Sequence, residues 1–312
     1  MNFFKLIADT LALARVFYLV LLQTLNMHKP FLWLLLLPTL SQAQLPAVDI
    51  YLSEIFWADK TMQFSAPVNI TQRPGYDNQP SFAVDGKAVY YTSIRENDQA
   101  DIYMYDIAAQ STKQITKTST SEYSPVWQLG KGLTVVMVEP DSAQRLWLFR
   151  ADGSHVPLLD KVDSIGYYAL VDEKYVAFFK VTDIPTLVIA DLKKQKEHAV
   201  DVNVGRCIKQ IPFSNAFSYI VKSDSINTIY QMDPKTHARS IITTCPAGYE
   251  DYVWCNNSVI LMARENGIYA YNLFSANPDW VKVAEFPALS GKQIFRLALS
   301  WDNTKLAFVA TE

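Results

Sequence analysis

The chain has little of what usually reveals chemistry at a glance. Of its 312 residues, three are cysteine and four are histidine. Cys207, Cys245 and Cys255 are too few and too irregularly spaced for a disulfide framework, and they match no zinc-binding pattern. They read as small buried hydrophobes. Charged residues make up only 19% of the chain and form no basic run, which excludes a surface built to follow nucleic-acid phosphates. There is no Gly-x-Ser-x-Gly elbow, no His-Glu-x-x-His, no phosphate loop and no complete Gly-x-Gly-x-x-Gly. Beyond residue 44 no stretch keeps a 3.6-residue apolar period, so little helix is expected.

Long apolar runs are confined to the N-terminus. Met27-His28-Lys29-Pro30 is a short basic lead, residues 31–40 are apolar, and Ser41-Gln42-Ala43 places small residues at −3 and −1 of a cleavage site. Basic lead, apolar run and small-x-small site are the three parts of a secretory signal peptide. Cleavage is expected after Ala43, with translation starting at Met27. The rival is an uncleaved membrane helix near residues 11–37, which Pro30, Lys29 and His28 would interrupt. No cysteine follows the site to carry a lipid. Three of the 28 basic and one of the 31 acidic residues fall in 1–43, so the remainder carries a net charge of −5.

What is present is a repeat. Ile102-Tyr103-Met104-Tyr105-Asp106 is echoed by Leu146-Trp147-Leu148-Phe149-Arg150, Leu187-Val188-Ile189-Ala190-Asp191, Ile229-Tyr230-Gln231-Met232-Asp233 and Ile268-Tyr269-Ala270-Tyr271-Asn272. Ile50-Tyr51-Leu52-Ser53-Glu54 is a sixth copy. A period of about 40 residues is that of one four-stranded propeller blade. Around each copy lie other short runs rich in β-branched and aromatic residues, bounded by turns such as Asp85-Gly86 and Asp233-Pro234. Innermost strands are expected at 79–83, 124–129, 167–172, 208–213, 251–256 and 295–300, and fourth strands at 67–71, 112–116, 155–159, 197–202, 238–243 and 280–286. The part after residue 43 opens with a third and a fourth strand and closes with a first and a second. The expectation is one all-β domain over 44–312: a six-bladed β-propeller of four-stranded antiparallel blades, its last blade closed by the N- and C-terminal strands. A β-sandwich would not need such a repeat. Cys245 then ends an outer strand and Cys255 the next inner one, beyond the ~7 Å between Cα atoms that a disulfide allows, so free thiols are expected.

Gln79-Pro80-Ser81-Phe82, Asp85-Gly86-Lys87, Tyr90-Tyr91-Thr92-Ser93 and residues 101–106 resemble the repeat of the TolB-type, WD-like propellers. The resemblance is specific in the first two repeats and degenerate afterwards: Leu129-Gly130-Lys131-Gly132 replaces the usual Pro-Asp-Gly-Lys turn. It implies a periplasmic or secreted propeller of a Gram-negative envelope that works through protein or ligand contact. The α/β domain that precedes the TolB propeller is missing from the expected layout, as is a following α/β-hydrolase domain, so the TolB role does not carry over whole.

Propeller sites gather where the inner strands begin. Aligning those strands brings together Tyr76, Asp77, Asn78, Glu122, Tyr123, Tyr167, Tyr168, Arg206, Lys209, Glu250, Asp251 and Arg296, with Tyr252 and Gln293 beside them. Such a channel mouth fits a small polar ligand or a partner's charged loop. It fits equally a self-satisfied ring, in which Asp77, Glu122, Glu250 and Asp251 pair with Arg206, Lys209 and Arg296. His155, His198 and His237 fall on outer strands or turns, away from the channel. The expectation is a monomeric, non-enzymatic binding module with no cofactor, no metal, no nucleic acid and no membrane span after signal removal. The alternative is a hydrolase or lyase using channel carboxylates such as Glu122, Glu250 and Asp251 on a polar or saccharide substrate. The abundant Tyr and Trp, including Trp127, Trp147 and Trp254, read as packing between blades.

Overall fold

The computed structural model describes residues 46–312 apart from 59–60, 96–97 and 129. The signal peptide, the Met27 start and the cleavage after Ala43 lie outside the described residues. The architecture is an all-β propeller of four-stranded antiparallel blades. In each blade the strands follow one another outward from the channel, so short turns connect neighbours. One blade comprises Ser121–Gln128, Gly132–Val138, Gln144–Phe149 and His155–Pro157, and the next Ile165–Leu170, Tyr175–Lys180, Thr186–Asp191 and Lys196–Val202. Then come Val204–Gln210, Phe217–Val221, Ile226–Met232 and Arg239–Pro246, followed by Tyr252–Cys255, Val259–Arg264, Gly267–Asn272 and Trp280–Glu285. Among the described residues, helix is limited to short 3-10 turns such as Pro287–Leu289. No described helix is long and apolar enough to cross a membrane.

Six separate sheets are expected from the repeat; among the described residues the structure has four of four strands and one of nine. In that fifth sheet the order is Ile294–Leu299, Lys305–Thr311, Val48–Ala58, Tyr76–Phe82, Ala88–Ile94, Ala100–Asp106 and Ser111–Gln114. The strand Val48–Ala58 pairs antiparallel with Lys305–Thr311, from Val48↔Thr311 to Glu54↔Lys305. A single parallel pair, Val48↔Tyr76, joins these strands to the group that starts at Tyr76. The chain turns back sharply at Gly75, whose carbonyl accepts the Val48 N–H at 2.9 Å, and this short return merges the two groups.

The expected fourth strand at 67–71 shrinks to Val68–Asn69. Side chains replace the ladder there. Thr71 Oγ1 accepts from the Ile50 N–H at 3.1 Å and donates to Asp49 at 2.7 Å, while Asn69 Nδ2 donates to the other Asp49 oxygen at 2.7 Å. The same substitution recurs where Thr116 Oγ1 accepts from the Ile102 N–H at 2.8 Å, just past the end of Ser111–Gln114. A hairpin absent from the expectation extends Val48–Ala58 outward against Thr61–Phe64 and leaves Phe56 and Trp57 exposed. At the degenerate turn, Gly132 has φ 130°, and a Cβ there would fall 2.1 Å from the Phe149 carbonyl oxygen, so glycine is required.

Apolar side chains fill the spaces between neighbouring sheets. Buried hydroxyls pin these layers together. The Tyr168 hydroxyl lies 2.8 Å from Thr134 Oγ1 in the preceding blade. Two interfaces further round, Ser218 Oγ accepts from Tyr252 at 2.9 Å and from Trp254 Nε1 at 2.8 Å. Trp127 stacks on Tyr90 with ring centres 5.5 Å apart. Cys207, Cys245 and Cys255 are buried free thiols, and burial pushes the Cys207 thiol up to about 12. Truncating Ser218 to alanine leaves a buried phenol and a buried indole N–H without their partner, at about 1–3 kcal/mol each. Ser218→Ala is therefore expected to lower the urea midpoint clearly with an unchanged m-value; a midpoint within error of wild type would contradict this role.

Candidate binding channel

The inner strands share a backbone device. The ladder slips between Asn78 and Ser81, between Tyr123 and Val126, and between Phe295 and Ala298, each time at a non-glycine residue of positive φ. Those residues are Gln79 (57°), Ser124 (53°) and Arg296 (56°). A bulge at the start of an inner strand breaks the pairing and re-aims the side chain that sits in it. The residues lining the channel of about 680 Å³ follow one another down the inner strands in tiers. The upper tier is Gln79, Ser124, Tyr167, Arg206, Asp251 and Arg296. Next comes a collar of Ser81, Val126, Ala169, Ile208, Val253 and Ala298. The far end is lined by Val84, Gln128, Leu170, Gln210, Leu299 and Trp301.

Charge in the upper tier is held by neighbouring strands. Arg206 grips Glu250 from three sides: Nε donates to Oε1 at 3.0 Å, Nη2 to Oε1 at 2.8 Å, and its backbone N–H to Oε2 at 3.1 Å. Gly205 makes that approach possible, because a Cβ there would stand 2.5 Å from Glu250 Oε2. Lys222 Nζ stands 3.8 Å from the same carboxylate. Burial pushes the Glu250 carboxyl up, but Arg206 and then Lys222 outweigh it and hold it below the usual range. Arg296 donates from Nη1 to Asp251 at 3.1 Å and from Nη2 to the Tyr167 hydroxyl at 2.9 Å. Its guanidinium also lies over the Tyr167 ring, 4.5 Å from the centre. Tyr167 and Arg296 stand on strands three steps apart in the order of inner strands, so this bond spans the channel. Arg296 Nε is buried with no hydrogen-bond partner.

The other expected site residues lie elsewhere. Asp77 is fully buried and pairs with Arg73 at 2.9 Å, not with a channel arginine. Glu122 is also fully buried and accepts from the hydroxyls of Thr118 and Thr120, while its Oε2 has no partner. Burial pushes both carboxyls up. The self-satisfied ring is thus half present: it contains Glu250 and Asp251 but not Asp77 or Glu122. Asn78 is buried and caps the Gln79 N–H at 2.7 Å. Tyr168 and Tyr252 border the channel with part of each residue while their rings join the packing between sheets. Tyr76 and Tyr123 sit half-buried beside the upper tier, with their hydroxyl pKa values raised by burial. Lys209 lines the channel and has no carboxylate within ion-pair distance among the described residues. Gln293 is exposed. Sequence reasoning missed Arg73, Gly205, Lys222, Gln79 and Trp301. The last two carry a visible signal, Gln79 in the Gln-Pro-Ser-Phe start and Trp301 in the Ser300-Trp301-Asp302-Asn303 turn. No group of three His, Cys, Asp or Glu gathers to hold a metal ion among the described residues.

The sequence matches no family model and no curated protein sequence. Solved structures do match in fold. A protein assigned as TolB from Agrobacterium tumefaciens superposes with a TM-score of 0.64 at 11% identity, over 86% of this chain and 99% of the other. A chain of a nidogen–laminin complex gives 0.57 at 12% identity, over 84% and 98%. An oligogalacturonate lyase in complex with manganese gives 0.50 at 14% identity, over 78% and 79%. The fold is that of the β-propellers, TolB propellers among them. At such identities the likeness is one of fold, and it reaches a binding assembly and an enzyme alike.

Two pH effects follow from the carboxylates. Glu122 favours the fold when protonated, an advantage complete below its unfolded value of 4.5 and lost as pH rises through its raised native value. Glu122→Gln is expected to raise the melting temperature at pH 7, with the gain vanishing near pH 4. Glu250 behaves oppositely: its pairing stabilises above 4.5 and is lost as pH falls through its lowered native value. The Arg206 side chain is 47% exposed, so the pair ranks between solvated and buried ion pairs. Arg206→Ala is expected to cost about 1–2 kcal/mol at pH 7 and clearly less at pH 3. A melting temperature unchanged or higher at pH 7 would show that Arg206 does not stabilise the fold.

Proposed function

We propose that this chain is an exported, non-enzymatic binding propeller of the cell envelope, periplasmic or secreted once the signal peptide ending at Ala43 is removed. In this reading the nine-stranded sheet counts as two blades. The pairing of residues 48–54 with 305–311 then closes a six-bladed ring over one domain, and the protein acts as a monomer. The observation that carries the function is the charge of the channel. Arg206, Arg296 and Lys209 line the channel with one carboxylate, Asp251, while Glu250 and Lys222 meet Arg206 from a neighbouring cavity, which leaves a cationic surplus in a concave site. Such a site suits a small polar anion or an acidic loop of a partner protein.

The second reading, a hydrolase or lyase, needs a carboxylate free to move a proton. Glu122 is enclosed by threonines, Glu250 is gripped by Arg206, and Asp251 lies against Arg296. Each is committed to a structural partner, which favours binding over acid–base work. The mature protein and a Lys209→Glu variant, purified from the native envelope, can be compared by native mass spectrometry. The expected result is a bound mass or partner chain on the wild type that is lost from the variant. Bare protein in both preparations would overturn the binding reading.

A further inference from the structure

The channel has two unlike ends, and the contrast specifies its ligand further than charge alone. Above the collar sits a cationic tier whose Arg296 keeps one buried donor, Nε, without a partner. The Arg296 side chain is 11% exposed and that of Asp251 13%, so an anion reaching this tier meets donors already stripped of water. The collar beneath carries small or branched side chains only: Ser81, Ala169 and Ala298 alternate unevenly with Val126, Ile208 and Val253. It holds no charge and makes this stretch of the channel lining a largely apolar sleeve. At the opposite opening, Trp301 is 69% exposed and Phe213 is 81% exposed. Their rings meet edge to face with centres 6.0 Å apart, although they belong to turns of different sheets. Phe213 holds this position at a φ of 58°, an unfavourable conformation for a phenylalanine. Val84 completes an exposed apolar rim on the same side. Exposed aromatics with a dry sleeve behind them are unusual on a soluble surface and mark a place where apolar matter is received.

We propose that the channel binds a linear amphiphile with a single anionic head, of the class of medium-chain carboxylates. The ligand enters past Trp301 and Phe213, its chain lies in the collar, and its head displaces none of the existing pairs but takes the free Nε side of Arg296. A hydrophilic sugar acid would leave the apolar sleeve without a partner. This inference rests on the reading of the channel as a ligand site.

Isothermal titration of the mature protein with decanoate, decanol and gluconate, each below any micelle concentration, tests it. Decanoate is expected to bind, and decanol to bind more weakly by about tenfold, the effect of one charge-assisted hydrogen bond. Ala169→Leu, which fills the sleeve, is expected to abolish decanoate binding. Should that variant not fold, Trp301→Ser changes an exposed residue only and is expected to weaken decanoate severalfold. Absence of decanoate binding, equal binding of decanol, or undiminished binding in the folded variants overturns the proposal. Gluconate binding without decanoate binding overturns the amphiphile and leaves the anion site standing. Binding of neither, together with bare protein from the envelope, overturns both.

Discussion

A β-strand can offer its residues to two faces only, and in the inner strands of this protein both faces are occupied. Alternate residues pack into the layers on either side of the sheet: Tyr168 towards the blade before it and Ala169 towards the blade after it, Tyr252 and Trp254 into one layer and Val253 and Cys255 into the other. The inner edge of the strand borders the channel, where Gln79, Tyr167, Arg206, Asp251 and Arg296 line the bore. A one-residue slip would exchange the two packed faces and move every charged group of the bore out of register with its partner. The bulges at Gln79, Ser124 and Arg296 oppose such a slip in three inner strands, and the hydroxyl pins of Tyr168 on Thr134 and Tyr252 on Ser218 oppose it in two others.

The same constraint separates four carboxylates that look alike in sequence. Asp77 and Glu122 come two residues before a bulge, where the side chain is drawn beneath the surface. Each finds local partners there: Arg73 for one, Thr118 and Thr120 for the other. Neither pairing offsets desolvation, and burial raises both. Glu250 lies against a glycine, which admits a carboxylate to the backbone N–H of Arg206, and two cations lower it. Asp251 reaches the channel and meets Arg296. What differs is the strand position relative to the bulge and the size of the residue across the gap, both of which are set by the backbone.

This explains what the sequence could and could not disclose. The repeat of alternating apolar residues located the strands to within a few residues, since period and turn chemistry are local. The thin fourth strand at Val68–Asn69 was not legible, because there Thr71 and Asn69 side chains take over from backbone bonds and leave no periodic trace. Neither was the union of two sheets, which depends on one bridge at Val48 and Tyr76. Of the site, the arginines and their two acids were legible by alignment. Tyr167 and Tyr168 were named together, since alignment does not tell which of two neighbours turns its ring into the packing between sheets. Arg73 and Lys222 were missed because they sit on a loop and at a strand end, outside the aligned inner strands.

The ion pairs of the channel do not argue against a ligand there. A guanidinium has five donors, and one carboxylate satisfies at most a few of them. Arg296 uses Nη1 on Asp251 and Nη2 on Tyr167, and this leaves Nε dry and unanswered. An unpaired buried donor is costly to the empty protein, so an acceptor that reaches it gains more than it would from a solvated arginine. Asp251 and Tyr167 meanwhile hold the guanidinium plane in place, which spares the ligand the entropy of ordering it. Pairing at the tier and binding at the tier are thus successive uses of one side chain. The structural pairs fix its orientation, and the donor they leave over is available to an incoming anion.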